Sequence, residues 1–199
     1  AEMERFLEWF EGGDGIDPVL AAGLSHIWFL TVHPFDDGNG RIARAIADMA
    51  LARADGSSDR FYSLSRQIAA ERDGYYDALE RAQSGTLDVT EWLAWFLGVL
   101  QRALDSSEEL LARVLLKADL LRAAQPHPVT ARQRKLLDRL VEGIDGDLTT
   151  SKAAKLLQCS SDTALRDVKQ LVEWRLLVRN DAGGRSTSYR LPTRAELEA

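Results

Sequence analysis

Apolar residues recur at helical spacing through the first two thirds of the chain. Met3, Phe6, Leu7 and Phe10 fall three and four apart, and Gly12-Gly13 ends that run. Asp17-Pro18 sets an N-cap before Pro at the first helical position, which predicts a helix from Val19 to about Val32. Pro34 stops it, because the residue before a proline is pushed out of helical geometry. A second helix rich in Ala, Ile and Leu is predicted from Asn39 to about Ala54, broken by Asp55-Gly56-Ser57-Ser58. Helical patterns follow over 59–83, with an internal irregularity, and over 88–122. The last carries Trp92, Trp95, Phe96, Val99 and Leu100 at core spacing. Six or so helices with little strand signal predict an all-α domain over 1–122.

Residues 123–128, Ala-Ala-Gln-Pro-His-Pro, read as a linker. Beyond it the pattern changes. Helices are predicted from Ala131 to Val141, from Thr149 or Thr150 to Leu157, and, after a turn at Cys159-Ser160, on to about Trp174. Leu176 to Arg179 and Ser186 to Leu191 flank a Gly183-Gly184 turn, the signature of a hairpin. Helix, helix, turn, helix, hairpin is the order of a winged helix-turn-helix domain, expected over 129–192, with 193–199 as a tail. The fold class is therefore mainly α, a helical core followed by a small winged domain.

Composition adds constraints. Among 199 residues, 45% are apolar and 28% charged, the balance of an ordinary soluble globular protein. The apolar runs Val19–Leu24 and Trp92–Leu100 are too short to span a membrane, so no membrane partner is expected. The single Cys159 excludes an internal disulfide and fits a reducing, cytoplasmic setting. The net charge of −6 divides unevenly: residues 1–125 carry about −9 and residues 126–199 about +3. The difference suggests two modules with different partners.

The densest chemistry lies in His33-Pro34-Phe35-Asp36-Asp37-Gly38-Asn39-Gly40-Arg41-Ile42-Ala43-Arg44. Gly38 and Gly40 bracket Asn39 at a loop-to-helix junction, where several N–H groups can point at one anion. The positive end of the helix adds to the same spot. Arg41 and Arg44 leave one helix face, and the guanidinium fork suits phosphate. Asp37 offers a hard oxygen of the kind Mg²⁺ accepts alongside waters and substrate phosphates. His33, at the end of the preceding helix, can take a proton from a hydroxyl. Taken singly these are ordinary surface, turn and solvated residues; together they supply a base, a metal ligand, an anion nest and two phosphate forks.

This string resembles the signature of the Fic family: histidine-Pro-Phe, two residues, Gly-Asn-Gly-Arg, and a second Arg three later. The resemblance covers roughly 1–122 and implies an all-α catalytic core. It implies a protein adenylyltransferase that moves AMP from ATP to a Ser, Thr or Tyr hydroxyl of a target protein, with Mg²⁺. By the same resemblance His33 is the base and Asp37 the magnesium ligand. Gly38, Asn39 and Gly40 would cradle phosphates, and Arg41 and Arg44 would hold the β and γ groups. Tyr75, Tyr76 and Gln83 match a stretch that lines the family's nucleoside pocket. The alternative for the pair is one Tyr in the core and the other capping it. Gly40 stands where the phosphate-transferring Doc-like relatives carry Lys.

Two family features are missing. No convincing β-hairpin flap precedes the motif, and no inhibitory string of Ser or Thr, three residues, Glu, then Gly or Asn is found: Asp138 and Leu7 precede Glu142-Gly143 and Glu11-Gly12. The lack of an initiator Met fits a chain cut from a longer protein.

In the second module, the helix from Ser161 would present Ser161, Thr163, Arg166 and Lys169 to DNA, with Arg179, Arg185 and Arg190 of the wing near phosphates. Asp162, Asp167 and Glu173 on the same helix oppose that, so a partner protein is the competing expectation. A homodimer is a further expected association. Two other functions compete with AMP transfer. One is a DNA-binding transcriptional regulator whose core senses nucleotide; the other is an enzyme that removes AMP or transfers another phosphate-containing group.

Overall fold

Helix after helix, the chain follows its apolar spacing. In the computed structural model, which describes residues 1–12, 15–57, 60–180 and 187–198, two compact units form, Ala1–Glu108 and Glu109–Ala199.

The first unit is helical throughout: α1 (Glu2–Gly12), α2 (Pro18–Val32), α3 (Asn39–Asp55), α4 (Leu64–Ala70), α5 (Arg72–Ser84) and the first part of α6 (Thr90–Ala124). Asp17 caps α2, its carboxylate accepting from the N–H groups of Val19 at 2.9 Å and Leu20 at 3.2 Å. Helix α2 is apolar on nearly every side, which suits a central strut. Ala22, His26, Phe29 and Leu30 are buried, and α3 lies against the strut through Ala43, Ala47 and Ala50. Gly23 admits α6: a β-carbon there would stand 2.9 Å from Leu93 Cδ2 and 3.0 Å from Phe96 Cδ1. The Trp92 indole N–H donates to the Gly23 carbonyl at 2.8 Å, so backbone and ring meet where no side chain intervenes. Phe6, Leu51, Leu64, Trp92 and Phe96 complete the core.

The irregularity expected within 59–83 is a corner at Glu71, whose φ of −110° and ψ of 35° separate α4 from α5. Arg102 donates to its carboxylate from Nε at 2.7 Å and Nη2 at 2.5 Å, and Gln67 adds a third bond. No helix occupies 60–63; α4 starts only where Ser63 Oγ accepts from Arg66 N at 3.2 Å.

The second unit holds the rest of α6, then α7 (Ala131–Glu142), β1 (Leu148–Thr149), α8 (Thr150–Leu157), α9 (Ser161–Glu173), β2 (Val178–Arg179), β3 (Ser188–Arg190) and α10 (Arg194–Glu198). A reciprocal Thr130–Gln133 capping box starts α7, and Ser160 Oγ caps α9. Gln158, with φ of 51°, turns the chain between α8 and α9. The sheet order is β1-β3-β2, antiparallel, with Leu148 opposite Tyr189 and Val178 opposite Arg190. Leu136, Leu148, Val168, Leu171 and Leu176 form the core. Asp167 turns inward, and Arg132 binds it at 2.5 and 3.0 Å, stitching α9 to α7. The hairpin turn at 181–184 lies outside the described residues.

Two elements escaped the hydrophobic pattern. Strand β1 is two residues long, and α10 occupies the expected tail. Thr193 and Glu196 close a box around the start of α10, and Arg190 grips the Glu196 carboxylate at 2.7 Å through both nitrogens. The division between units falls inside α6, upstream of the linker expected at 123–128, of which Ala123 and Ala124 are the last turn of α6 and pack against the second core. Among the described residues no helix is long and apolar enough to cross a membrane.

Candidate active site

The motif residues meet where α2 ends and α3 begins. His33 is the C-cap of α2, in the left-handed region at φ 47° and ψ 57°, with its N–H on Phe29 O at 3.0 Å. Its Nδ1 lies 3.3 Å from Leu30 O. A carbonyl can only accept, so Nδ1 donates to it, and in a neutral ring Nε2 is the nitrogen left to take a proton.

The loop is tied by Asn39. Its side chain is buried, with Oδ1 accepting from Phe35 N at 3.1 Å and Nδ2 donating to Phe35 O. Asn39 therefore shapes the loop with its carboxamide and has only backbone to offer an anion. Gly38, at φ 85°, is the N-cap of α3 and makes no side-chain cap bond. Arg41 N already donates to Gly38 O at 2.9 Å, which leaves the N–H groups of Asn39 and Gly40, the first two of α3, without an intrahelical acceptor. Free N–H groups at a helix start are the kind of group an anion-binding nest requires.

Arg41 and Arg44 rise from the first turns of α3. Arg41 is exposed and reaches the exposed Asp37 carboxylate at 3.4 Å. Arg44 is half-buried, and its charge acts on two groups beneath it, His26 and Tyr75. His26, on α2, was not singled out from sequence; the one titratable side chain inside an apolar helix was the available signal. Its Nε2 lies 3.1 Å from the Tyr75 hydroxyl, and Trp92 and Phe96 pack around the ring. Nδ1 is buried without a partner among the described residues. Burial, then the Arg44 charge, lowers the His26 pKa to about 3, so this imidazole is neutral. Burial likewise pushes the Tyr75 hydroxyl up to about 12.

The tyrosine pair divides. Tyr75 is 4% exposed and belongs to the core, whereas Tyr76 is 53% exposed, with Arg72 5.7 Å over its ring. Adjacent helical positions differ by about 100°, and here the two rings lie 5.2 Å apart with Tyr75 turned to the core and Tyr76 to solvent. Gln83 Nε2 reaches Thr31 Oγ1 at 3.4 Å on the rim of a 470 Å³ cavity lined by Trp9, Ile27, Trp28, Thr31, Gln83 and Leu87. Thr31 stands two residues before His33 in sequence, while the cavity's lining residues come from 9–31 and 82–89.

Among the described residues, no group of three or more His, Cys, Asp or Glu side chains is placed to hold a metal ion. Asp36 and Asp37 are both exposed carboxylates of the loop, and Asp37 also accepts from Arg41. That donor set fits Mg²⁺ carried on nucleotide phosphates, which asks one or two protein carboxylates and several waters.

In the second unit Ser161, Arg166 and Lys169 are exposed on α9. Thr163 is half-buried, and its hydroxyl meets Ser160 Oγ at 2.9 Å. Arg185 lies outside the described residues. Arg190 faces Glu196 instead of standing free for phosphate.

The family model of the Fic/DOC family matches residues 1–51. A "Protein adenylyltransferase Fic" of Nematostella vectensis is 30% identical over 107 residues, 53% of this chain and 23% of its own length. One of Drosophila grimshawi is 30% identical over 105 residues, 52% of this chain and 20% of its own. A crystal structure of a Fic family protein from Desulfovibrio desulfuricans matches at TM-score 0.47 and 23% identity, covering 96% of this chain and 54% of that one. Residues 1–51 are thus similar to the Fic/DOC family, and the likeness to adenylyltransferases reaches about half of the chain. The chain spans about a fifth of the length of the curated relatives it matches.

Proposed function

We propose that the first unit is a protein adenylyltransferase, moving AMP from ATP to a Ser, Thr or Tyr hydroxyl of a target protein. The observation that carries this reading is the free Nε2 of His33 beside the uncapped start of α3. In the reaction His33 Nε2 takes the hydroxyl proton, and the oxygen attacks the α-phosphorus of ATP. The bond from that phosphorus to the bridging oxygen breaks, and pyrophosphate leaves. The N–H groups of Gly38, Asn39 and Gly40 and the forks of Arg41 and Arg44 hold the phosphates in line. Fixed dipoles and positioning supply the rate, as in phosphoryl transfer generally. Asp37 would hold Mg²⁺, which when bound offsets phosphate charge. The cavity beside Gln83 and Thr31 suits a base: its walls are apolar, and a carboxamide can both donate and accept. Tyr76 is the exposed partner for the nucleoside, and Tyr75 supports it from below.

The test is incubation with Mg²⁺ and α-labelled ATP, comparing the parent with His33→Ala on added lysate protein. Label that vanishes in the variant while calorimetric ATP binding persists is expected. Label that survives His33→Ala overturns the mechanism, and loss of label from pre-modified protein would instead indicate AMP removal.

For the second unit we infer a winged helix-turn-helix, with α8 and α9 as the paired helices and β2–β3 as the wing. A DNA-contacting role is favoured by one observation: Asp167 is neutralised inside by Arg132, leaving Arg166 and Lys169 outward on α9. Duplex binding should weaken steeply with salt and fall further in Arg166→Ala. Salt-insensitive or absent binding would leave a protein-contact role.

A further inference from the structure

Within the second unit, α6 packs Leu116, Leu120 and Ala123 into the core. Its opposite face carries Leu110, Leu111, Val114 and Leu121 at 50, 46, 55 and 47% exposure, with exposed Ala118 between them. Leu111, Val114, Ala118 and Leu121 follow spacings of three, four and three, the a/d rhythm of a coiled-coil seam. Isolated exposed leucines are ordinary, but a contiguous stripe of five apolar side chains on one solvated helix face marks an interface.

We infer that this stripe pairs with the same stripe of a second copy of the chain, antiparallel, about a two-fold axis at the level of Leu116. The sequence is self-complementary in that direction. Leu111 meets Leu121 of the second copy, Val114 meets its Ala118, and Glu108 meets its Arg122, each contact occurring twice as an isologous interface requires. Parallel pairing would instead set Lys117 against Arg122, two like charges across the seam. In the antiparallel arrangement the two Lys117 side chains approach each other, but each ammonium already binds Asp138 at 2.9 Å. Two heptads make a small interface, at the weak end of specific association, with a dissociation constant of about micromolar order.

Sedimentation equilibrium of the whole chain over about 1–300 µM tests this range. The parent should show a concentration-dependent dimer, and Val114→Asp should weaken it at least about tenfold with unchanged helix content by circular dichroism. Glu108→Arg and Arg122→Glu should each weaken association several-fold, while the double reversal restores it. A parent that stays monomeric, or a dimer indifferent to Val114→Asp, overturns the interface. A double reversal that stays weak overturns the antiparallel register.

Discussion

Replacing Gly23 by alanine sets two effects of known sign against each other. Mid-helix, Gly→Ala ordinarily stabilises by up to about 1 kcal/mol, because glycine loses more backbone entropy on folding. At Gly23 the added methyl would lie 2.9 Å from Leu93 Cδ2 and 3.0 Å from Phe96 Cδ1. Leu93 is only partly buried and can shift, but the Phe96 ring is fully enclosed. Helix α6 cannot simply back away, since the Trp92 N–H is bonded to the Gly23 carbonyl. Overpacking of this kind costs about 1–3 kcal/mol, so the net change is a destabilisation of about 1 kcal/mol, with the Trp92 bond lengthened. Gly74→Ala is the control, because the nearest atom to its new methyl is Trp95 Nε1 at 3.6 Å and the site is exposed. It should stabilise by a few tenths of a kcal/mol, roughly the helix propensity gain in a first turn. Urea denaturation followed by tryptophan fluorescence, to which Trp92 contributes with four other tryptophans, would measure both. A Gly23→Ala protein as stable as its parent would refute the packing argument, since propensity would then have prevailed over the contact.

Three other outcomes can be checked on the same footing. His26 is neutral in the fold with a pKa of about 3 against 6.5 unfolded, so the unfolded chain binds the extra proton between those values. Stability should therefore fall as pH drops below 6.5, by up to about 1.4 kcal/mol per unit from this group, and His26→Leu should flatten the slope in urea melts from pH 7 to 4. Arg132→Ala strands the buried Asp167 carboxylate and should cost about 3 kcal/mol, more than Asp167→Ala, which frees a half-exposed guanidinium to solvent; equal costs in chemical denaturation would refute this ordering. Asn39→Asp keeps the bond from Phe35 N but sets a carboxylate against Phe35 O, and a thermal melt should show a loss of about 1–3 kcal/mol together with weaker ATP binding by calorimetry.

Much of this was legible in the sequence because the signals were local. Asp17-Pro18 fixed the start of α2 and Pro34 its end, and Trp92, Phe96, Val99 and Leu100 are buried as their spacing demanded. The loop at 33–44 announced its chemistry by density. What stayed hidden depends on distant partners. The corner at Glu71 is held by Arg102, thirty-one residues on, and no pattern within a window of helix length contains both. Strand β1 is too short for alternation to register and exists because Tyr189 and Ser188 of β3 pair with it. Tyr75 and Tyr76 look equivalent in sequence, and only the neighbours of α5 decide which is buried. Helix α10 depends on Arg190 closing over Glu196, a contact invisible to hydrophobic periodicity.

The pair of hydrogen bonds between Asn39 and Phe35 bears on how an anion would be received. A loop that had to order around its guest would forfeit about 1–2 kcal/mol of binding for each residue newly fixed. Here the turn from His33 to Gly38 holds its shape through its own hydrogen bonds, so capture requires little rearrangement. Removing the Asn39 tie should then register in calorimetry as a less favourable binding entropy before any loss of contact enthalpy, the mark of a receptor that has stopped being rigid in advance.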